Sequence, residues 1–288
     1  MQILDTHLLV ESFCTRNEIY VHFSKSQGLE DQKKLSNFVK LGRIPAESLK
    51  GWIRHGMEAL LLENGISICH PMPENTITSE SNKELYIKDL KMGYHPRGLC
   101  EKEGGCLIYH LFGDLGIAGK FIVPSVYFYP ANNGGITFRN LQKAFGGNIG
   151  GGRLEIARNS PRGRSGLASQ PYMTTETWVG VMIHAPFELI IHDDDERYKI
   201  LILKTLEFLA DKIDNEEYSF MLGGKRGGKY GRAKAVFINN NGNFLQRGRN
   251  NIGLKDEVAA EIDKKFQELV AEEKEKFPIE KVEENKEK

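Results

Sequence analysis

Three groups of residues in this sequence could do chemistry by type and spacing. The first is a set of soft metal ligands: "CHP" at 69–71 and "YHPRGLCEKEGGC" at 94–106 put Cys69, His70, His95, Cys100 and Cys106 into one stretch. Thiolate sulfur and imidazole nitrogen hold zinc tetrahedrally. A long segment without an apolar period needs some staple other than a core, and a three-Cys, one-His zinc site would supply it. The gap of five residues between Cys100 and Cys106 exceeds the usual two to four, and adjacent Cys69 and His70 rarely both ligate. A zinc site and a set of reduced, buried thiols with a stray histidine both remain open on these residues.

The second group is a bare, cationic backbone. "GGKRGGKYGRAKAV" at 223–236 holds five glycines and five cationic side chains, and no carboxylate stands between Tyr218 and Lys255. Consecutive glycines let backbone N–H groups come close to a ligand, and phosphate is the ligand such amides hold when lysine and arginine surround them. A simple turn before a strand has the same composition. A nucleotide P-loop needs GxxxxGK[ST] opening a helix, whereas this stretch lacks the Ser/Thr and runs into a strand-like pattern. Residues 132–169 form a second Gly-rich region with Arg139, Lys143, Arg153, Arg158, Arg162 and Arg164, opposed only by Glu155. In "RIPAESLKGWIRHG", Lys50 and Arg54 are four apart and share one helix face, with Trp52 and Ile53 turned to another. Together these segments suit single-stranded nucleic acid, with a cationic track for the backbone and rings such as Tyr230 or Phe244 for stacking.

The third group is carboxylates. Glu30 and Asp31 lie in "SQGLEDQKKL", where a lone acid without a metal or general-acid partner reads first as an exposed polar residue. "HDDDER" at 192–197 reads as the cap of a following helix. No Ser-His-Asp or Cys-His constellation emerges from spacing.

The elements that must position these groups follow from periodicity. "QILDTHLLVESF" and "EIYVHF" alternate apolar and polar residues around Arg16-Asn17, as a β-hairpin would. "IPAESLKGWIRHGMEALLLENG" carries Leu49, Trp52, Ile53, Leu60 and Leu61 at helical spacing, with Gly65 as its stop. Residues 66–106 keep no period and read as an insertion. "GKFIVPSVYFYP" returns to strand character. "TETWVGVMIHAPFELII" is strand-like with a break expected near Pro186, and "DDDERYKILILKTLEFLADKI" is a second helix. "RAKAVFI" is a final strand. The last stretch is a charged helix with Val258, Ile262, Phe266 and Leu269 on one stripe. The expected class is α+β: an antiparallel sheet of the ferredoxin-like, RNA-recognition kind with large insertions. The expected division is a core of 1–65 and 107–250 interrupted by a thumb-like insertion around 132–170, a Cys/His insertion at 66–106, and a charged tail at 251–288.

Bulk properties bound the function. Lys+Arg and Asp+Glu both number 39, so the formal net charge is zero. Residues 254–288 carry 8 Lys against 12 acidic side chains, so the body before them is net basic. A basic body in a neutral protein points to a site-specific anion partner rather than a general polycation. No apolar run reaches the ~20 residues of a membrane helix. The start lacks a secretory pattern, and 4 Cys at uneven spacing make no disulfide framework. The expected location is the cytoplasm.

"IPAESLKGWIR" resembles the Ile-Pro-Gly-Ser-Ser-Leu-Lys-Gly-x-x-Arg signature of the RAMP (repeat-associated mysterious protein) superfamily of CRISPR proteins, with Ala46-Glu47 where that signature has Gly-Ser. "CLIYHLFG" is similar to the superfamily's Cys-x-x-x-x-Leu-Phe-Gly segment, and "GGKRGGKYGRAKAV" to its C-terminal glycine-rich loop. "IARNSPRGRSGLASQPYMTTETWVGVMI" is more loosely similar to its thumb and following strand. The resemblance, of a type I-D-like or type III-like branch, implies a backbone subunit that polymerises along a guide RNA (crRNA) with sister copies and other effector-complex subunits. Its modified RNA-recognition fold grips the guide, and bases stay open for pairing with target nucleic acid. Carried over by position, the implied RNA contacts are Ser48, Lys50 and Arg54 on the helix. In the loop they are Gly223, Gly224, Lys225, Arg226, Gly227, Gly228, Lys229, Gly231 and Arg232; in or beside the thumb they are Arg158, Arg162 and Arg164. Some members have a zinc-binding insertion, for which the ligands would be Cys69, His95, Cys100 and Cys106. In type III branches the subunit cuts target RNA with an aspartate before the Ile-Pro motif, a place Asp31 would occupy. The implied role is otherwise a non-catalytic scaffold.

Overall fold

The computed structural model describes residues 1–15, 18–22, 38–70, 77–114, 117–129, 149–151, 154–159, 175–223, 231–237 and 254–279. The frame is one long antiparallel pair. Strand β1 (Gln2–Thr15) runs against a 17-residue strand (Thr175–Ile191) from Gln2↔Ile191 to Thr15↔Glu176, with a bulge between Val10 and Ser12. Alternation decides which face is buried. Leu4, Leu8 and Val10, with Leu189 and Ile191, are buried, whereas Ile3 is 50% exposed.

Strands β2 (Glu18–His22) and β3 (Phe38–Ile44) form an antiparallel pair, and helix α1 (Ala46–Glu63) follows. The hairpin expected around Arg16-Asn17 is not formed: β1 pairs with the 175–191 strand, and β2 pairs with β3. A 14-residue strand gains a far longer ladder from a 17-residue partner than from a five-residue one. Between 66 and 114 come β4 (Ile68–Cys69), α2 (Glu80–Lys91), β5 (Tyr94–His95), α3 (Arg97–Lys102), α4 (Leu107–Phe112) and β6 (Gly113–Asp114). Then follow β7 (Ile117–Ala118), β8 (Phe121–Ile122), β9 (Val126–Tyr129), β10 (Ile149–Gly151), β11 (Leu154–Asn159) and β12, the 175–191 strand. Helix α5 (Glu196–Asp214), strand β13 (Ala233–Val236) and helix α6 (Asp256–Lys276) follow among the described residues.

Among the described residues the main sheet runs β13-β1-β12-β10-β9-β3-β2, with β8 and β11 also on β12. It is antiparallel throughout except for β9–β10. The class is therefore α+β. Strand β12 continues through Pro186, against the expected break. Residues 185–189 pair with β1 on one side while β10 and β8 take up only 184 and 190–191 on the other. Such an edge-like stretch tolerates a proline that donates no hydrogen bond.

Helices α1 and α5 pack together and bury their apolar stripes. They approach closely at Gly56, where an added Cβ would lie 2.6 Å from Leu209 Cδ2. Asp195 caps α5 by accepting from the Arg197 N–H at 3.0 Å, and Asp193 pairs with Lys120, so the acidic run caps a helix and anchors a loop. Helix α6 lays Ala259, Ile262, Phe266 and Leu269 on α5. Val258, expected on that stripe, is 44% exposed, so the buried seam begins one residue later. Lys204–Asp263 (2.7 Å) and Lys265–Glu196 (2.9 Å) flank the seam. No helix among the described residues is long and apolar enough to cross a membrane.

Candidate nucleic-acid interface and metal centre

Helix α1 begins after Pro45, which sits extended at the cap with φ −63°. Its first turns and the 218–223 segment form the two walls of a cleft of about 440 Å³, lined by Glu47, Ser48, Gly51, Trp52, His55, Ser219 and Gly223. The walls are tied together. Buried Trp52 donates its indole N–H to the Phe220 carbonyl at 2.7 Å, and the His55 ring stacks on Phe220 with centroids 5.1 Å apart. Ser48 and Gly223, read from separate motifs, thus share one cleft.

The glycine-rich loop leaves and rejoins the body beside this cleft. Leu222 donates its N–H to the Gly231 carbonyl at 2.8 Å, which pinches the loop shut at its root. Gly231 has φ +87°, and a Cβ there would lie 1.9 Å from the Leu222 carbonyl oxygen, so no other residue fits. Arg232, just past the root, reaches Glu216 at 3.3 Å. Gly224, Lys225, Arg226, Gly227, Gly228 and Lys229 lie outside the described residues.

Lys50 and Arg54 leave α1 on another side. Lys50 Nζ lies 5.9 Å and Arg54 Cζ 5.8 Å from the centroid of the Phe112 ring, in the "CLIYHLFG" segment. Arg54 also pairs with Glu58 at 2.7 Å. Partial burial, then the neighbouring Arg54 charge, lowers the pKa of Lys50. The helix motif therefore divides: Ser48 faces the loop root, while Lys50 and Arg54 cover Phe112. Arg158 lies in β11 opposite Glu176. Arg162, Arg164, Glu30 and Asp31 fall outside the described residues.

At the far end of α1 the chain enters β4, which pairs in parallel with β5 so that Cys69 sits beside His95. Cys100 comes from α3. A tight Gly104-Gly105 turn, both with positive φ, brings Cys106 back, and its N–H donates to Cys100 Sγ at 3.1 Å. The three sulfurs lie within 4.8 Å of one another and all three cysteines are buried, close enough to bind a metal ion. The thiols perturb one another as a shared charge would. Hydrogen bonds from Cys100 and Cys69, helped by His95 and opposed by burial, hold Cys106 well below the usual thiol range. Their counterpart effect pushes Cys69 up and Cys100 up to about 12.

The two histidines separate cleanly. His70 points its Nε2 at Asp89 Oδ2, 3.0 Å away, and packs edge-on against Tyr86 and Tyr94. His95 is 4% exposed, with Nδ1 2.9 Å from Ser67 Oγ; its ring is near enough to help lower the Cys106 pKa, but its buried Nε2 makes no well-formed hydrogen bond. Ser67 and Phe220 carry no signal in the sequence; Phe112 does, as the Phe of the "CLIYHLFG" segment. Glu58 does have one, at the i+4 position from Arg54 that suits an ion pair.

No protein-family model matches the sequence, and a search of curated proteins finds no match. Solved structures do align with it. One is a chain of the type III-B Cmr-β complex bound to cognate target RNA, at 12% identity and TM-score 0.31, covering 81% of this chain. The present chain spans 59% of that chain's length. A second is Csc2 of Thermofilum pendens, at 12% identity and TM-score 0.37, covering 94% of this chain and 76% of that one. A third is a type IV-B CRISPR complex, at 13% identity and TM-score 0.34, covering 86% and 93%.

Proposed function

We propose that this protein is a guide-RNA-binding backbone subunit of a CRISPR effector complex in the cytoplasm, acting as a scaffold. The carrying observation is the shared cleft: Ser48 of the helix motif and Gly223 at the root of the cationic loop line the same cavity. A ribose-phosphate chain lying there meets hydroxyls and backbone amides, with Lys225, Arg226 and Lys229 following in sequence. In this reading the sheet is a modified RNA-recognition fold built from 1–65 and 107–250, with a thumb around 132–170 bearing Arg158, Arg162 and Arg164. Lys50 and Arg54, beside Phe112, mark a second stretch of the RNA path on the same helix. Several copies coat one guide, and kinked segments leave bases open to pair with target.

The thiol centre is read as a structural zinc site within the 66–106 insertion. Cys69, Cys100 and Cys106 supply three sulfurs within 4.8 Å of one another; His95 lies outside that group, and its buried Nε2, on the strand neighbour of Cys69, would complete a tetrahedral site by moving toward the sulfurs. A bound zinc would supply cross-linking, and the residues around it would order the insertion.

The test is RNA binding at several salt concentrations with the chain carrying Lys225→Ala, Arg226→Ala and Lys229→Ala together. Affinity for single-stranded RNA should fall, and the slope of log K against log salt should flatten by about two, because each phosphate contact contributes ~0.7 on a single strand. A triple variant that keeps the parent affinity and slope would overturn the assignment.

A further inference from the structure

The thiol centre and the C-terminal helix meet through two residues that belong to neither motif. Ser67 lies between α1 and β4 and is 5% exposed. Its hydroxyl is 2.9 Å from His95 Nδ1, and its backbone N–H donates to the Phe277 carbonyl at 2.8 Å. Phe277 caps the end of α6 and is 1% exposed. Its ring lies on the His95 imidazole, with centroids 4.8 Å apart and planes at 16°. The next residue, Pro278, bridges to Ile66, and Ile279 packs on Gly93 at the start of β5. The imidazole is thus fixed on one face by Phe277 and at one nitrogen by Ser67, and what remains is the unpartnered Nε2.

We propose that Ser67 and Phe277 are positioning residues for the metal ligand His95, and that through them a bound divalent metal fastens helix α6 to the body of the protein. This rests on the metal reading above. A metal on Nε2 requires Nδ1 to carry the proton, which Ser67 Oγ then accepts, so the hydroxyl sets both tautomer and ring orientation. A ring already held by Phe277 loses less freedom when the metal arrives. The coupling is reciprocal: whatever Ser67 and Phe277 contribute to metal affinity, the metal returns to the Ser67–Phe277 link. Apart from that link and the Pro278 and Ile279 contacts, α6 is held by the Ala259–Leu269 seam and by ion pairs of Arg197 with the buried Glu273, Lys204 with Asp263, and Lys265 with the exposed Glu196.

The experiment uses the full chain with Co2+ as the spectroscopic probe and Zn2+ as competitor, and amide hydrogen exchange of residues 256–276 as the second readout. The expected results are a tetrahedral Co2+ spectrum with thiolate charge-transfer bands, and exchange in 256–276 at least about tenfold faster after chelation. Ser67→Ala should weaken metal binding by roughly 10–100-fold while the thiolate bands remain, and Ser67→Thr, which keeps the hydroxyl, should restore most of the affinity. Phe277→Ala should weaken binding and also speed exchange in 256–276 with metal present. Unchanged affinity in both Ser67→Ala and Phe277→Ala would overturn the positioning role. Exchange that ignores chelation in the parent chain would overturn the coupling while leaving the metal site standing. Absence of any thiolate–Co2+ band would sink the metal reading itself. The chelation arm uses the unmodified chain, so it decides the matter even if Phe277→Ala does not fold.

Discussion

Helix α1 joins two regions built on opposite principles. At its first turns the side chains of Glu47, Ser48 and His55 are exposed, and an added Cβ at Gly51 would meet nothing within 4 Å. Past its last turn, Ser67, Cys69 and His95 are buried at 7% exposure or less, and each polar atom either has a named partner or is a candidate ligand atom. The first region is space kept open at some cost in packing. The second is a closed cluster whose groups satisfy one another only when complete. Substitutions at the two ends should therefore separate stability from binding, and the sharpest tests exploit that separation.

The largest effect is expected at the closed end. Cys106 carries the low-pKa sulfur that the other two thiols support. Cys106→Ala should abolish metal binding and cost about 4 kcal/mol, the range in which losing a metal ligand falls. For a chain of this size that is roughly 8–16 °C in Tm. Chelating the parent chain should reproduce most of the shift, read by calorimetry. A variant that melts with the parent but no longer binds RNA would invert the comparison, placing function at the buried end.

A smaller loss is expected where the open end meets the fold. Gly231→Ala forces a side chain into positive φ and against the Leu222 carbonyl, so the loop root must open. The cost should be about 2–3 kcal/mol, with a parallel loss of RNA affinity. If affinity held while stability fell, the loop would be a structural turn and not a phosphate cradle.

How much of this was legible in the sequence follows the same division. Helix α1 was readable because Leu49, Trp52, Ile53, Leu60 and Leu61 all face the core, so local period and tertiary burial agree. The clustering of Cys69, Cys100 and Cys106 was readable because sulfur is rare and its chemistry narrow. Helix α2 was not, because it buries no residue and so writes no apolar period. The pairing of β1 was misread because the longer partner lies more than 150 residues away in β12, and alternation announces a strand without naming its neighbour. The spacing of Lys50 and Arg54 correctly put them on one face. It held no sign that Phe112, from another motif, would lie beneath them. Ser67 and Phe277 were invisible for the same reason: a hydroxyl and a ring 210 positions apart have meaning only once folded.

The smallest effect carries the opposite sign and tests the comparison most directly. Gly51 lies inside helix α1, lines the cleft, and has neither a positive φ nor a neighbour that a methyl group would touch. A glycine in a helix interior costs about 0.5–1 kcal/mol relative to alanine through backbone entropy. Gly51→Ala should therefore raise Tm by roughly 1–4 °C, and Gly51→Leu should fold as well as the parent. Both add atoms to the wall of the proposed RNA path, so RNA affinity should fall for Ala and fall further for Leu. A stabilised protein that binds more weakly means the missing side chain is kept for the ligand. If Gly51→Leu binds RNA as the parent does, the RNA path does not enter the cleft, and Lys50 and Arg54 beside Phe112 become the place to look for it.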